Sequence, residues 1–202
     1  NEGLYGIFDF GGGTFDFSIL KLQKGVFQVL ASNGDAHLGG DDIDQALLQH
    51  LNLELTKENH QLAQKAKELL STQNSISLQG HTVILDDFKA LITPLVTRTL
   101  KVCQETLTYS NIKASDLKGI VMVGGSTRIP LVRQQVQDCF QQEPLTHIDP
   151  DTTVAVGAGL QAHALTHGSD TLLMDVTPLS LGLEIMGGTV DRIIERNSPI
   201  PV

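Results

Sequence analysis

The phrase Asp9-Phe10-Gly11-Gly12-Gly13-Thr14 constrains this chain more than any other. Gly3 to Phe10 before it reads as a buried strand, with Leu4, Ile7 and Phe8 as its apolar positions. Thr14 to Leu22 after it alternates, with Phe15, Phe17, Ile19 and Lys21 on one side. Gly25 stands in a turn context, and Val26 to Ala31 reads as a third strand. Three short strands joined by tight glycine turns predict an antiparallel meander. Three consecutive glycines also let backbone N–H groups turn toward an anion, where a side chain would block the approach. Asp9, at the strand end, can hold a hydrated divalent cation, and Thr14 supplies a hydroxyl near the same phosphates. A plain hairpin turn is the alternative; it needs glycine but not the flanking Asp and Thr.

At Gly39-Gly40 the period changes to that of helices. Ala46, Leu47, Leu51 and Leu55 can share one helical face, with Asp41, Asp42 and Asp44 suited to its positive end. A second helix is predicted from Lys57 to Leu70, and a hairpin from Ser75 to Leu78 and Thr82 to Leu85. Asp86 and Asp87 read as caps of a long helix ending near Tyr109, which Pro94 should kink or divide. Gly119 to Val123 reads as a strand and Pro130 to Phe140 as a helix with Pro130 in its first turn. Pro150 to Leu165 reads as a small-residue helix, in which Ala155, Ala158, Gly159 and Ala162 permit close packing on a sheet. Beyond the linker signal Gly168-Ser169-Asp170, Leu179 to Ile185 and Val190 to Glu195 read as strands that cannot close a core alone.

Two further phrases carry chemistry. In Val123-Gly124-Gly125-Ser126-Thr127-Arg128-Ile129-Pro130 a strand runs into a glycine pair and a helix start, where free N–H groups favour phosphate or ribose oxygens. Arg128 can stack its planar guanidinium on a base. The phrase is neither a P-loop nor a dinucleotide fingerprint. Gly34-Asp35 with Leu38-Gly39-Gly40-Asp41-Asp42 can bring backbone near a sugar and Asp42 near a cation, or can be a strand-to-helix turn. His163 and His167 have metal-ligand spacing but no third ligand in the sequence nearby. His37 beside its glycine turn reads as structural or solvated, and Cys103 and Cys139 as core thiols.

Composition narrows the classes. A net charge of −9 argues against non-specific nucleic-acid binding. An apolar content of 41% argues against disorder. No apolar run approaches the roughly 20 residues that cross a bilayer, so no membrane is expected. Two cysteines without a CxxC pattern predict a reducing, cytoplasmic setting. Trp is absent, and the nine aromatics offer no stacking platform. The chain starts at Asn1, just before a strand, and stops at Pro199-Ile200-Pro201-Val202, so a piece of a longer protein is expected.

Taken in order, these phrases resemble the 70-kDa heat-shock chaperones. Asp9 to Asp16 is similar to that family's second phosphate motif, and Val123 to Pro130 to its adenosine motif. Ile148-Asp149-Pro150-Asp151 with Val154 to Ala158 resembles its closing helix, and Leu172 to Gly182 its interdomain linker and first peptide-domain strand. The resemblance covers essentially the whole chain. It implies an α/β fold: lobe II of an actin-like (ribonuclease H-like) ATPase. Residues 1–39 and 98–168 would be its core, and 40–97 an inserted helical and hairpin subdomain. Residues 169–176 would be the linker, and 177–202 the first strands of a substrate-binding domain, an incomplete β tail.

The resemblance also implies ATP hydrolysis coupled to peptide capture, with ATP or ADP, Mg2+ and a monovalent ion such as K+. Gly11, Gly12, Gly13 and Thr14 would contact phosphates. Asp9 would hold hydrated magnesium and help orient the attacking water, and Asp16 would help bind the monovalent ion. Gly124, Gly125, Ser126 and Arg128 would face adenosine, with Asp151 close by. Gly40 and Asp42 would lie near the ribose or ion shell. Lys67 and Ser71 match the family's adenine-side helix, but Gln64 and Glu68 stand where general members carry Glu and Arg. One guanidinium face is thereby lost, and faster nucleotide release is expected, with less need for an exchange factor. The short segment from Leu51 to Leu62, Met122, Pro94-Leu95-Val96 with Arg98-Thr99-Leu100, and Pro144-Leu145-Thr146 resemble the iron–sulfur-assembly branch of the family. That branch implies a J-type co-chaperone and an iron–sulfur scaffold protein as client.

Lobe I would carry the other phosphate loop, so these residues alone are expected to be catalytically inactive. Three other readings stand beside this one. The first is a general protein-folding chaperone of the same family. The second is a sugar or acetate kinase on the same fold, against which the tail from Asp170 to Val202 argues. The third is a non-enzymatic module that self-associates by exchanging its tail strand at Leu172-Leu173-Met174.

Overall fold

The computed structural model describes residues 2–145, 149–150 and 152–200. Its main sheet has six strands in the order Pro199–Ile200, Leu172–Val176, Val26–Asp35, Phe15–Gln23, Gly3–Phe10 and Leu117–Val123. Strands β1 (Gly3–Phe10), β2 (Phe15–Gln23) and β3 (Val26–Asp35) form the expected antiparallel meander. Strand β6 (Leu117–Val123) lies parallel to β1. Alternation assigns one face of the meander to the core: Phe8, Phe10, Phe15, Phe17 and Ile19 are fully buried. The Phe8 and Phe15 rings are 4.7 Å apart, in a tilted contact.

That face is covered by two helices. In α3 (Leu85–Ser110), Phe88, Ile92, Val96 and Cys103 are buried. In α4 (Pro130–Phe140), Val132, Val136 and Phe140 are buried, and Phe140 meets Phe17 at 5.7 Å between ring centroids. Pro94 does not divide α3, which runs unbroken over 26 residues. Pro94 and Ala90, whose carbonyl loses its N–H donor, both lie on the exposed side, where water replaces the bond. Asp86 and Asp87 are not caps: the N-cap is Ile84 without a side-chain bond, and the two acids sit in the first turn.

Between β3 and α3 lie α1 (Gly40–His50), α2 (Lys57–Leu70) and a hairpin of β4 (Ser75–Leu78) and β5 (His81–Ile84). Helix α1 buries Ile43, Asp44, Leu47 and Leu48, not the face expected through Leu51 and Leu55. It ends at His50, Asn52 follows at φ 54°, and Leu55 is exposed. Helix α2 is capped by Thr56, whose hydroxyl accepts from Asn59 N–H at 3.2 Å.

Helix α5 (Thr153–His167) buries no residue, so the expected packing of Ala155, Ala158, Gly159 and Ala162 on a sheet is not found among the described residues. The rings of His163 and His167 stack at 4.4 Å, and no group of three metal-ligating side chains occurs among the described residues. No described helix is long and apolar enough to cross a membrane.

Strand β7 (Leu172–Val176) joins the main sheet, with Leu172, Leu173 and Met174 paired in parallel to Val26, Phe27 and Gln28. Strand β10 (Pro199–Ile200) adds antiparallel outside it. Arg196 and Asn197 fasten this segment. Asn197 Oδ1 accepts from Ser32 N–H at 3.1 Å, and Arg196 donates to Ser32 O at 3.0 Å. The Arg196 guanidinium also lies 5.5 Å from the centroid of the Tyr109 ring. Strands β8 (Leu181–Ile185) and β9 (Thr189–Ile194) project as a separate hairpin whose large apolar side chains are exposed.

Candidate nucleotide site

The glycine turn is the meeting point of three segments. Gly11 N–H donates to Thr14 O at 3.1 Å and closes the β1–β2 turn. Its carbonyls face the start of α1: Gly40 N–H donates to Gly11 O at 3.0 Å and Asp41 N–H to Gly12 O at 2.7 Å. Gly11 O also accepts from Ser126 Oγ at 2.8 Å. Gly39 must be glycine, because a Cβ there would lie 2.2 Å from Gly12 O.

The turn itself is different. Gly12 and Gly13 are exposed, and neither has a positive φ. A Cβ on Gly13 would meet nothing within 4 Å, and one on Gly12 only Asp41 Oδ1 at 3.9 Å. The chain's own packing does not call for glycine at either position. A ligand pressed against this backbone would call for it.

The carboxyls of Asp9 and Asp16 lie on strand positions paired across β1 and β2. Burial pushes the Asp9 carboxyl up, and the neighbouring Asp16 pushes it further. Burial also raises the Asp16 carboxyl, which stands against Gly34. A cation placed beside these two carboxyls would favour their charged forms.

The second wall is built by the 3-10 turn Gly125–Arg128, which follows β6 and Gly124. Gly124 has φ +86°, and a Cβ there would lie 2.4 Å from Phe10 O, so β6 passes directly against the end of β1. Arg128 pairs with Asp149 at 2.9 Å. The third wall is α2. Its Lys67 is buried and donates to Gly40 O at 2.9 Å and to Asp44 Oδ2 at 3.0 Å. Burial outweighs the Lys67 ammonium and raises the Asp44 carboxyl above its ordinary range.

These walls enclose a cleft of about 1050 Å³. Of the residues singled out from sequence, Gly12, Gly40, Lys67, Ser71, Gly125, Ser126 and Arg128 line it, as do Gln64 and Glu68. Asp9, Gly11, Gly13, Thr14, Asp16 and Gly124 do not line the cleft; they lie at or beside the glycine turn. Asp151 is outside the described residues, as are Ile148 and Thr146. Asp42 turns away to accept from Gly39 N–H at 2.7 Å, and Asp41 lines the cleft instead. Asp35 pairs with Arg98 of α3.

Sequence inspection missed the face of α4 that lines the cleft: Arg133, Gln134 and Gln137. Their spacing of three, four and seven from Pro130 was the available signal. The two cysteines are thiols set in apolar surroundings: burial pushes Cys103 well up, and Cys139 less so.

The sequence profile of the family described as Hsp70 protein matches residues 2–202. The chain is 47% identical over 225 aligned residues to the chaperone protein HscA homolog of Burkholderia pseudomallei (strain 668), covering 100% of this chain and 36% of that protein. It is 48% identical over 221 residues to the chaperone protein HscA homolog of Shewanella denitrificans (strain OS217), with the same coverage. The chain therefore spans about a third of the length of these curated relatives. A glycine turn, a glycine-bearing strand-to-turn phrase and a lysine-bearing helix around one cleft accord with a profile match over nearly all its residues, and the chain belongs to the Hsp70 family.

Proposed function

We propose that this chain is the lobe II side of the nucleotide site of an ATP-driven chaperone, with the tail that couples it to peptide binding. The observation that carries this reading is the Gly12-Gly13 backbone, open to solvent beside a cleft and glycine for no reason internal to the chain. Its α/β architecture is consistent with an actin-like Hsp70 ATPase domain. In this reading residues 1–39 and 98–168 belong to the lobe core, 40–97 to the insertion, 169–176 to the interdomain linker, and 177–202 to the start of a substrate-binding domain.

In this reading the amides of Gly12 and Gly13 and the Thr14 hydroxyl hold phosphates. Asp9 faces the hydrated Mg2+ and Asp16 the monovalent ion. Gly124, Gly125, Ser126 and Arg128 hold the nucleoside, with Asp151 beside them. The bound magnesium nucleotide supplies the phosphoryl group and neutralises its charge. The chain's own work is positioning: Ser126 locks the turn through Gly11 O, and Asp44 holds Lys67 at the cleft floor. ATPase activity belongs to the whole protein.

Similarity to HscA homologs supports a role in iron–sulfur protein maturation, with a J-type co-chaperone and a scaffold protein as partners, in the cytoplasm. Gln64 and Glu68 line the cleft in place of a Glu and an Arg, which supports faster ADP release than from general members. Stopped-flow release as slow as theirs would contradict it. Calorimetric titration with magnesium ADP tests the site. Binding that Arg128→Ala loses is expected; no binding at millimolar ADP would count against it.

A further inference from the structure

Three cations line the cleft: Lys67, Arg128 and Arg133. Two are already committed. Lys67 is buried against Asp44, with Nζ 2.9 Å from Oδ1, and Arg128 pairs with Asp149. Arg133 is not. Its Nε donates to Thr127 O at 2.9 Å, and among the described residues it makes no ion pair. That single bond ties the side chain to the 3-10 turn and leaves its terminal nitrogens undirected toward any carboxylate. Glu68, of opposite charge, lines the same cleft from α2 and is not bonded to it, so the walls stay apart.

The lining also limits how a flat ring can be held. Among the described residues it contains no aromatic side chain, and its apolar members are Ile129 and Pro130, both at the start of α4. Pro130, Arg133, Gln134 and Gln137 recur at spacings of three and four, so one face of α4 forms this wall. A ring placed there has two aliphatic surfaces and a guanidinium plane to lie against.

We propose that Arg133 holds the purine ring of a bound nucleoside diphosphate against the α4 wall, and so supplies from α4 the planar cation that α2, with Glu68, does not offer. This rests on the nucleotide reading above and adds a specificity-determining residue to it.

The test is calorimetry on the 202-residue chain with two probes, magnesium ADP and magnesium pyrophosphate, which lacks base and sugar. Arg133→Gln is expected to weaken ADP about tenfold and leave pyrophosphate within about twofold. Arg133→Lys, which keeps the charge but not the plane, is expected to fall between. Equal ADP affinity in Arg133→Gln overturns the proposal. So does an equal loss for pyrophosphate, which would make Arg133 a phosphate ligand or a mere support of the turn. If the unaltered chain binds neither probe, the nucleotide reading itself fails, and the role of Arg133 with it.

Discussion

Helices α4 and α5 are similar in length and both follow a phrase ascribed to nucleotide binding, yet they behave oppositely. Helix α4 has an apolar stripe: Val132, Val136 and Phe140 are buried, while Arg133, Gln134 and Gln137 face the cleft. Helix α5 spreads its apolar residues around its circumference and buries nothing, with Val154, Val156, Leu160 and Leu165 exposed. A stripe orients a helix against one surface; a scattered apolar pattern does not. The same contrast holds at the glycines. Gly39 is fixed by a backbone 2.2 Å from where its Cβ would stand, whereas Gly13 has open space. Some residue choices answer to the chain's own packing, and others do not.

Substitutions can break that comparison. Phe140→Ala should lose about 3–5 kcal/mol in chemical denaturation, because it empties the contact with Phe17. Leu160→Ala on α5 should stay within about 0.5 kcal/mol. A large loss at Leu160 would mean that α5 packs on the chain after all. Gly39→Ala should destabilise by about 1–3 kcal/mol and Gly12→Ala by a few tenths at most, measured the same way.

Two smaller effects sharpen it. Tyr109→Ala removes the ring beneath Arg196 and should release about 0.5–1 kcal/mol of the attachment of the tail, read as faster amide exchange in β7 and β10. Asp9→Asn should stabilise the free chain by under about 1 kcal/mol. The sign follows from linkage. The folded Asp9 carboxyl is raised by burial and by Asp16, so the folded state binds its proton more tightly than the unfolded state. Stability is then lost as pH climbs from the ordinary carboxylate range through the folded value, and stays lost above it. The Asn variant should flatten that part of the pH–stability curve.

Local pattern made much of the fold legible. The meander, α2 from Lys57 to Leu70 and α4 from Pro130 to Phe140 agree with their periodicity and turn residues. The glycine turn and Arg128 were visible as phrases, because a run of glycines between strands and a strand-to-turn glycine pair each have a sequence signature. What stayed hidden depends on distant partners. Strand β7 pairs with β3 across more than a hundred residues, and nothing in Leu172-Leu173-Met174 names Val26 to Gln28. The cleft face of α4 was hidden for the same reason, since α2 creates the cleft opposite it. Pro94 does not divide α3, where the carbonyl it frees, that of Ala90, lies on the exposed side.

In the proposed nucleotide site, Gly12 and Gly13 are glycine for a phosphate ligand and not for the fold. Gly13→Val tests it most directly, by thermal unfolding and magnesium ADP calorimetry on the same sample. The account predicts a melting temperature within about 2 °C of the unaltered chain and no measurable ADP binding. Undiminished ADP binding in the valine variant would contradict it.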